Sequence, residues 1–103
     1  MSNVTHHVLE WNGITISVTY DDEYLGPNKT SPNALAHLAV QSVSPERAPL
    51  PMTSTGYKSH WLHPQEVSAE GGPVGYVLAW ITQEAETQEW QERAAAAKQY
   101  SLF

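Results

Sequence analysis

The sequence predicts an α+β domain: a three- to four-stranded, mainly antiparallel sheet that starts with a β-hairpin, and two C-terminal helices packed on one face. Three observations predict it. Asn12-Gly13 stands between two runs that alternate apolar and polar residues, the pattern of a two-residue hairpin. Val74, Val77, Leu78 and Ile81 recur at i, i+3, i+4 and i+7, with Trp80 beside them, which makes the apolar stripe of a helix. The other strong apolar periodicity is period two, so the cover for that stripe is a sheet drawn from the first two thirds of the chain. At 103 residues one core and one domain are expected, with 1–65 forming sheet and 71–103 forming helix.

The hairpin comes first. Both central residues of a type I′ turn need positive φ, which Asn and Gly adopt most easily. In that register Trp11 faces Ile14, Leu9 faces Ile16, His7 faces Val18 and Thr5 faces Tyr20. Leu9, Trp11, Ile14, Ile16, Val18 and Tyr20 then share the core side, while His6, Glu10, Thr15, Ser17 and Thr19 share the wet side with Val8 as the exception. Asp21-Asp22-Glu23 ends the second strand, and the turn formers from Leu25 to Asn33 make a loop. Ala34 to Val43 reads as a third strand with Ala36, Leu38 and Val40 on one face and His37, Ala39 and Gln41 on the other. Pro32 to Val40 also admits a helical reading, because Ala and Leu tolerate both states.

Three prolines between Ser44 and Pro51 forbid a helix and a central strand, so an extended, stiff crossing segment is expected. Gly56 leads into a short fourth strand from Tyr57 to Leu62, stopped by Pro64. It alternates Tyr57, Ser59 and Trp61 against Lys58, His60 and Leu62. The first helix starts at Pro73 with Gly72 as N-cap, since an N1 residue has no use for its N–H. Thr87 caps the second, from about Gln88 to Gln99, with Glu86, Glu89 and Glu92 ahead of Arg93 and Lys98 in the order a helix dipole prefers. Trp90, Ala94 and Ala97 mark its inward face, and Leu102 with Phe103 clip its end down.

Composition narrows the function. No cysteine is present, which removes thiolate chemistry and Cys-ligated zinc. Eleven acids against five bases, a net charge of −6, argue against a groove that tracks phosphates. Mimicry of DNA is equally disfavoured, because a duplex carries about one negative charge per 1.7 Å of axis. No basic leader with an apolar run opens the chain, and no apolar stretch approaches the roughly 18 to 20 residues of a membrane span, so a soluble cytoplasmic protein is expected.

Candidate chemistry is sparse. Adjacent His6 and His7 point to opposite faces of a strand, so they do not chelate together. Ser59 and His60 face apart for the same reason, and no Gly-x-Ser-x-Gly elbow is present. Asp21-Asp22-Glu23 lacks the ligand alternation of a calcium loop, and Gly71-Gly72-Pro73 has no nearby Lys or Arg to make it an anion site. The reading therefore assigns no catalytic residue, no metal and no cofactor. Arg47, Tyr57, Lys58, His60 and Trp61 remain as a candidate protein-binding set, because Arg, Tyr and Trp are enriched at binding hot spots. The competing account makes Tyr57 and Trp61 core and the others solvated.

Pro45-Glu46-Arg47-Ala48-Pro49-Leu50-Pro51, Gly56-Tyr57-Lys58-Ser59-His60-Trp61, the run from Gly71 to Trp80 and Gln99-Tyr100-Ser101-Leu102-Phe103 carry a resemblance. From about Val8 to its end the chain resembles small uncharacterised proteins of bacterial plasmids, integrative elements and phages. That resemblance implies a mobile-element setting and transfers no activity. Small acidic domains of such elements often bind a host protein, as anti-CRISPR and antirestriction proteins do. The expected function is non-enzymatic binding of a host or element-encoded protein, as an inhibitor of host defence or a regulator. Two alternatives come from other classes: a small metal-dependent or hydrolytic enzyme using His37 and His60, and a self-assembling subunit, with a homodimer built on the hairpin edge or the alanine-rich helix.

Overall fold

In the computed structural model residues 4–24 and 30–100 are described, with 97–100 described by backbone alone. The elements are β1 (Val4–Trp11), β2 (Ile14–Asp21), β3 (Ala36–Ser44), β4 (Tyr57–Leu62), α1 (Pro64–Ala69), α2 (Pro73–Ala85) and α3 (Gln88–Tyr100). The strands form one antiparallel sheet in the order β1-β2-β3-β4, followed by the helices. Asn12 and Gly13 both have positive φ, 52° and 80°, and the hairpin register is the expected one, with Trp11 opposite Ile14 and Leu9 opposite Ile16. The Ala34 to Val43 stretch resolves as strand, because Leu38 and Val40 are needed on the same pleat face as Val18 and Tyr20.

The core lies between that face and α2. Ile16, Val18, Ala36, Leu38 and Val40 are fully buried from the sheet, and Val77 and Ile81 from the helix. Each buried Val, Leu or Ile among them contributes about 1.5–3 kcal/mol relative to an exposed one. One member of the expected stripe is displaced: Leu78 is 40% exposed. The helix is rolled so that Tyr76 and Trp80 pack against the core instead, which a stripe counted along one helix does not reveal.

Two further differences concern the connections. A third helix, α1, follows β4 directly: the His63 ring accepts from Gln65 N (3.1 Å), Glu66 returns a bond to His63 N (3.1 Å), and Pro64 sits at the first helical position. His63 also bonds the Ser31 carbonyl at 2.8 Å, fixing α1 to the turn before β3. The proline-rich segment is not an extended crossing. It folds back in turns, with Ala48 N bonded to the Pro45 carbonyl and Leu50 paired with Thr53, and drops Leu50 fully into the core. Prolines forbid ladders and helix interiors, yet they suit turns.

Thr87 does cap α3, accepting from Trp90 N at 3.3 Å, and the Trp90 ring meets Trp11 at 5.9 Å. Beyond that contact residues 88–96 of α3 are largely exposed. The long dimension of 51 Å and a radius of gyration of 15.1 Å, against about 13 Å for a compact chain of this length, show how far the molecule departs from a sphere. Residues 25–29 of the expected loop, the Ala97 side chain, and Leu102 with Phe103 lie outside the described residues.

Ile81→Ala is expected to cost about 2–5 kcal/mol, and Leu78→Ala under about 1 kcal/mol, in urea unfolding followed by circular dichroism. Equal losses would mean that the two residues share one environment.

Candidate functional site

The alternation of β4 decides the site. Leu62 is buried opposite Ala36, so Lys58, His60 and Leu62 face the helices and Tyr57, Ser59 and Trp61 face outward. The outer face is a ladder of three rows across all four strands: Val4, Asp21, His37, Trp61; His6, Thr19, Ala39, Ser59; and Val8, Ser17, Gln41, Tyr57. The helices cover the other side.

Rings gather at one corner of this face. Asp21 Oδ1 accepts from Glu23 N at 3.0 Å, a turn that ends β2 and brings Tyr24 back beside β3. The His37 ring then lies 5.6 Å from Tyr24 and 4.8 Å from Trp61, and Tyr24 meets Trp61 edge-on at 6.4 Å. Such tilted and edge-to-face pairs are favourable geometries for rings. A hydrogen bond of 2.6 Å between His37 Nε2 and Ser59 Oγ fixes the imidazole in this group. Tyr24, Tyr57 and Trp61 nevertheless remain 46%, 44% and 49% exposed, so the account that made Tyr57 and Trp61 core does not hold.

Arg47 sits at the head of β4, held by backbone. Ser42 is fully buried, its hydroxyl donating to the Ala48 carbonyl (2.6 Å), its N–H to Gly56 O (2.8 Å), and its carbonyl accepting from Arg47 N (3.2 Å). Gly56 has φ +79°, and a Cβ there would come within 2.6 Å of the Arg47 carbonyl carbon. Only glycine permits that approach.

His60 and Lys58 turn the other way. The His60 ring lies 4.8 Å from Trp80 and is stacked at 6.3 Å on Tyr76, so it buttresses α2. Burial lowers its pKa below the ordinary 6.5, Lys58 lowers it further, and Glu66 opposes both. Burial likewise raises the Tyr76 phenol, with Glu66 and Glu70 adding to the rise. Of the five residues singled out by sequence, Tyr57 and Trp61 share the outer face, Lys58 and His60 lie behind it, and Arg47 sits in the turn before β4 with its backbone against Ser42 and Gly56. Tyr24 and His37 join them instead; His37 was legible as outward on β3, but its register against Trp61 was not.

The chemistry available is limited. His37 and His60 lie on opposite faces and do not converge. The Ser59–His37 contact resembles the first part of a nucleophile, whose remaining parts are a cleft and paired donors for an oxyanion. The described depressions lie elsewhere: one of about 360 Å³ beside Tyr20, Asp22 and Gly72, and one of about 310 Å³ beside Met52, Glu84 and Arg93. Among the described residues no group of three His, Asp or Glu side chains is placed to hold a metal ion.

A family model described as KlcB third domain matches residues 4–90. No curated protein and no solved structure matches the chain.

Two outcomes follow from the site. Because folding favours neutral His60, the unfolded chain takes up that proton first on acidification. The associated stability is present above 6.5 and is lost as pH falls through 6.5 toward the lowered folded value. Urea midpoints measured from about pH 8 to about pH 5 should therefore fall more steeply for the parent chain than for His60→Gln. Gly56→Ala should cost at least about 1 kcal/mol more than Gly13→Ala, which has the same sign of φ and open space around it.

Proposed function

We propose that this chain, which belongs to the KlcB third-domain family, is a non-enzymatic module that binds a protein partner through the outer face of its sheet. The observation that carries the reading is the exposure of Tyr57 and Trp61 on the ladder and of Tyr24 beside it, while Tyr76 and Trp80 on the helix side are used in packing. Exposed Tyr and Trp on a rigid element are anchors for a partner, and the neighbouring Ser17, Thr19, Gln41 and Ser59 supply hydrogen-bonding groups around them. A family described by its place as a third domain suits a module that works beside others.

The partner is a protein and not nucleic acid. None of the ladder positions is Lys or Arg, and the chain carries a net charge of −6. Resemblance to mobile-element proteins supports the finer reading, in which the partner belongs to a host defence complex of the CRISPR or restriction type, or to the regulation of the element itself. A cytoplasmic setting goes with that reading, and no described helix is long and apolar enough to cross a membrane.

The test is capture in the bacterial host with a photo-crosslinking residue at position 57. One stoichiometric protein is expected. Trp61→Ala should weaken its binding about thirtyfold, the scale of a hot spot, and leave the melting temperature unchanged. Leu78→Ala, exposed on α2, should have no effect on capture. Absence of a stoichiometric partner, or loss of capture in Leu78→Ala and not in Trp61→Ala, would overturn the proposal.

A further inference from the structure

The two outer strands of the sheet are finished differently. On β4 the outward carbonyl of Tyr57 is already taken by the hydroxyls of Thr53 (2.8 Å) and Thr55 (3.3 Å), and the strand ends after six residues at α1. β1 runs for eight residues in unbroken register, with no Pro, Lys or bulge. Those are the usual guards of an edge. Residues flanking a two-residue turn exchange their backbone bonds, so Trp11, Leu9, His7 and Thr5 bond to β2. The N–H and C=O groups of Val4, His6, Val8 and Glu10 therefore point outward. Val8 on this edge is 68% exposed.

We propose that β1 is a self-pairing edge: two copies of the chain join β1 to β1, antiparallel, about a two-fold axis through Val8, continuing the sheet from one copy into the other. The sequence of the edge selects both the occupant and the register. A symmetric antiparallel pair keeps each side chain on its own face only when the axis passes through a residue. With the axis at Val8, the two Val8 side chains meet and His6 of each copy faces Glu10 of the other. On the inner face His7 meets Leu9 and Thr5 meets Trp11. Moving the axis to His7 sets Val4 against Glu10 and His6 against Val8, and moving it to His6 sets the two His6 rings against each other. Only the Val8 register matches apolar with apolar and base with acid, and it does so twice by symmetry. The surface is complementary to itself. This inference is separate from the partner on the outer face: Trp61 is on β4, at the far side of the sheet, so a Trp61→Ala chain should still dimerise.

Sedimentation equilibrium tests it on the intact chain. Between about 1 µM and about 1 mM the mass should move from 11.4 kDa toward twice that value, and a constant 11.4 kDa would overturn the proposal. Val8→Pro should remain monomeric across the range with its circular dichroism intact, because the lost N–H points outward, away from its partner strand β2. Glu10→Lys should raise the dissociation constant about tenfold, since it removes the carboxylate that His6 of the other copy faces, twice by symmetry. Should Val8→Pro fail to fold, single cysteines decide, as the chain has none of its own. A hydrogen-bonded pair on the axis sets Cα atoms about 5.5 Å apart, within disulfide reach. Val8→Cys should oxidise to a covalent dimer and Val4→Cys, as outward but remote from the axis, should not. Equal crosslinking of both, or a dimer indifferent to Val8→Pro, would overturn it.

Discussion

Burial of Val77 and Ile81 against Ile16, Val18, Leu38 and Val40 is the constraint from which the rest follows, because it gives the sheet an inside and an outside. A four-stranded antiparallel sheet alternates its side chains, so drying one face commits every second residue of each strand to the other. The rings of Tyr57 and Trp61 and the imidazole of His37 are outward because Leu62, Leu38 and Val40 are inward. The site is a consequence of the core, read one residue out of phase.

The corner of the sheet is held by a different kind of interaction. Ser42 is a buried polar residue whose N–H, carbonyl and hydroxyl are all bonded, to Gly56, Arg47 and Ala48. Leaving any of these unmade in the interior costs about 1–3 kcal/mol, so the turns from Pro45 to Gly56 are tied to β3 at one point. The bulge between Thr15 and Ile16, where Ser42 and Ser44 take successive partners on β2, lies at that same corner. There the ladder stops and the chain swings over the core to bury Leu50.

Much of this was legible in the chain. Asn12-Gly13 fixes a turn type, and a fixed turn type fixes register, so every β1–β2 pair followed. Period two gave the faces of β3 and β4. It did not give which face of β4 was inward, since both sides carry rings and only Leu62 is plainly apolar. α1 was missed because six residues are too few to show a helical period and because histidine is a rare cap; the Pro64 and Glu66 pattern was the available signal. Leu78 was misplaced because a stripe at i and i+4 does not know the angle at which a helix crosses a sheet, and Tyr76 with Trp80 supplied a second apolar flank. The ring cluster was beyond reach, since Tyr24, His37 and Trp61 come from three parts of the chain.

Exposed rings on an antiparallel sheet suit stacked bases as well as protein side chains, so the choice between them rests on charge. Stacking contributes about 1–3 kcal/mol per base, and the backbone that comes with each base brings a phosphate to be neutralised. Around Tyr24, Trp61 and Tyr57 the ladder offers His37, His6 and Asp21 but no Lys or Arg, and Lys58 is turned to the opposite face. A strand of nucleic acid laid on this surface gains stacking and meets carboxylate where it needs cations. A protein segment gains the same ring contacts without that penalty, and finds in Asp21 a partner for a basic side chain of its own.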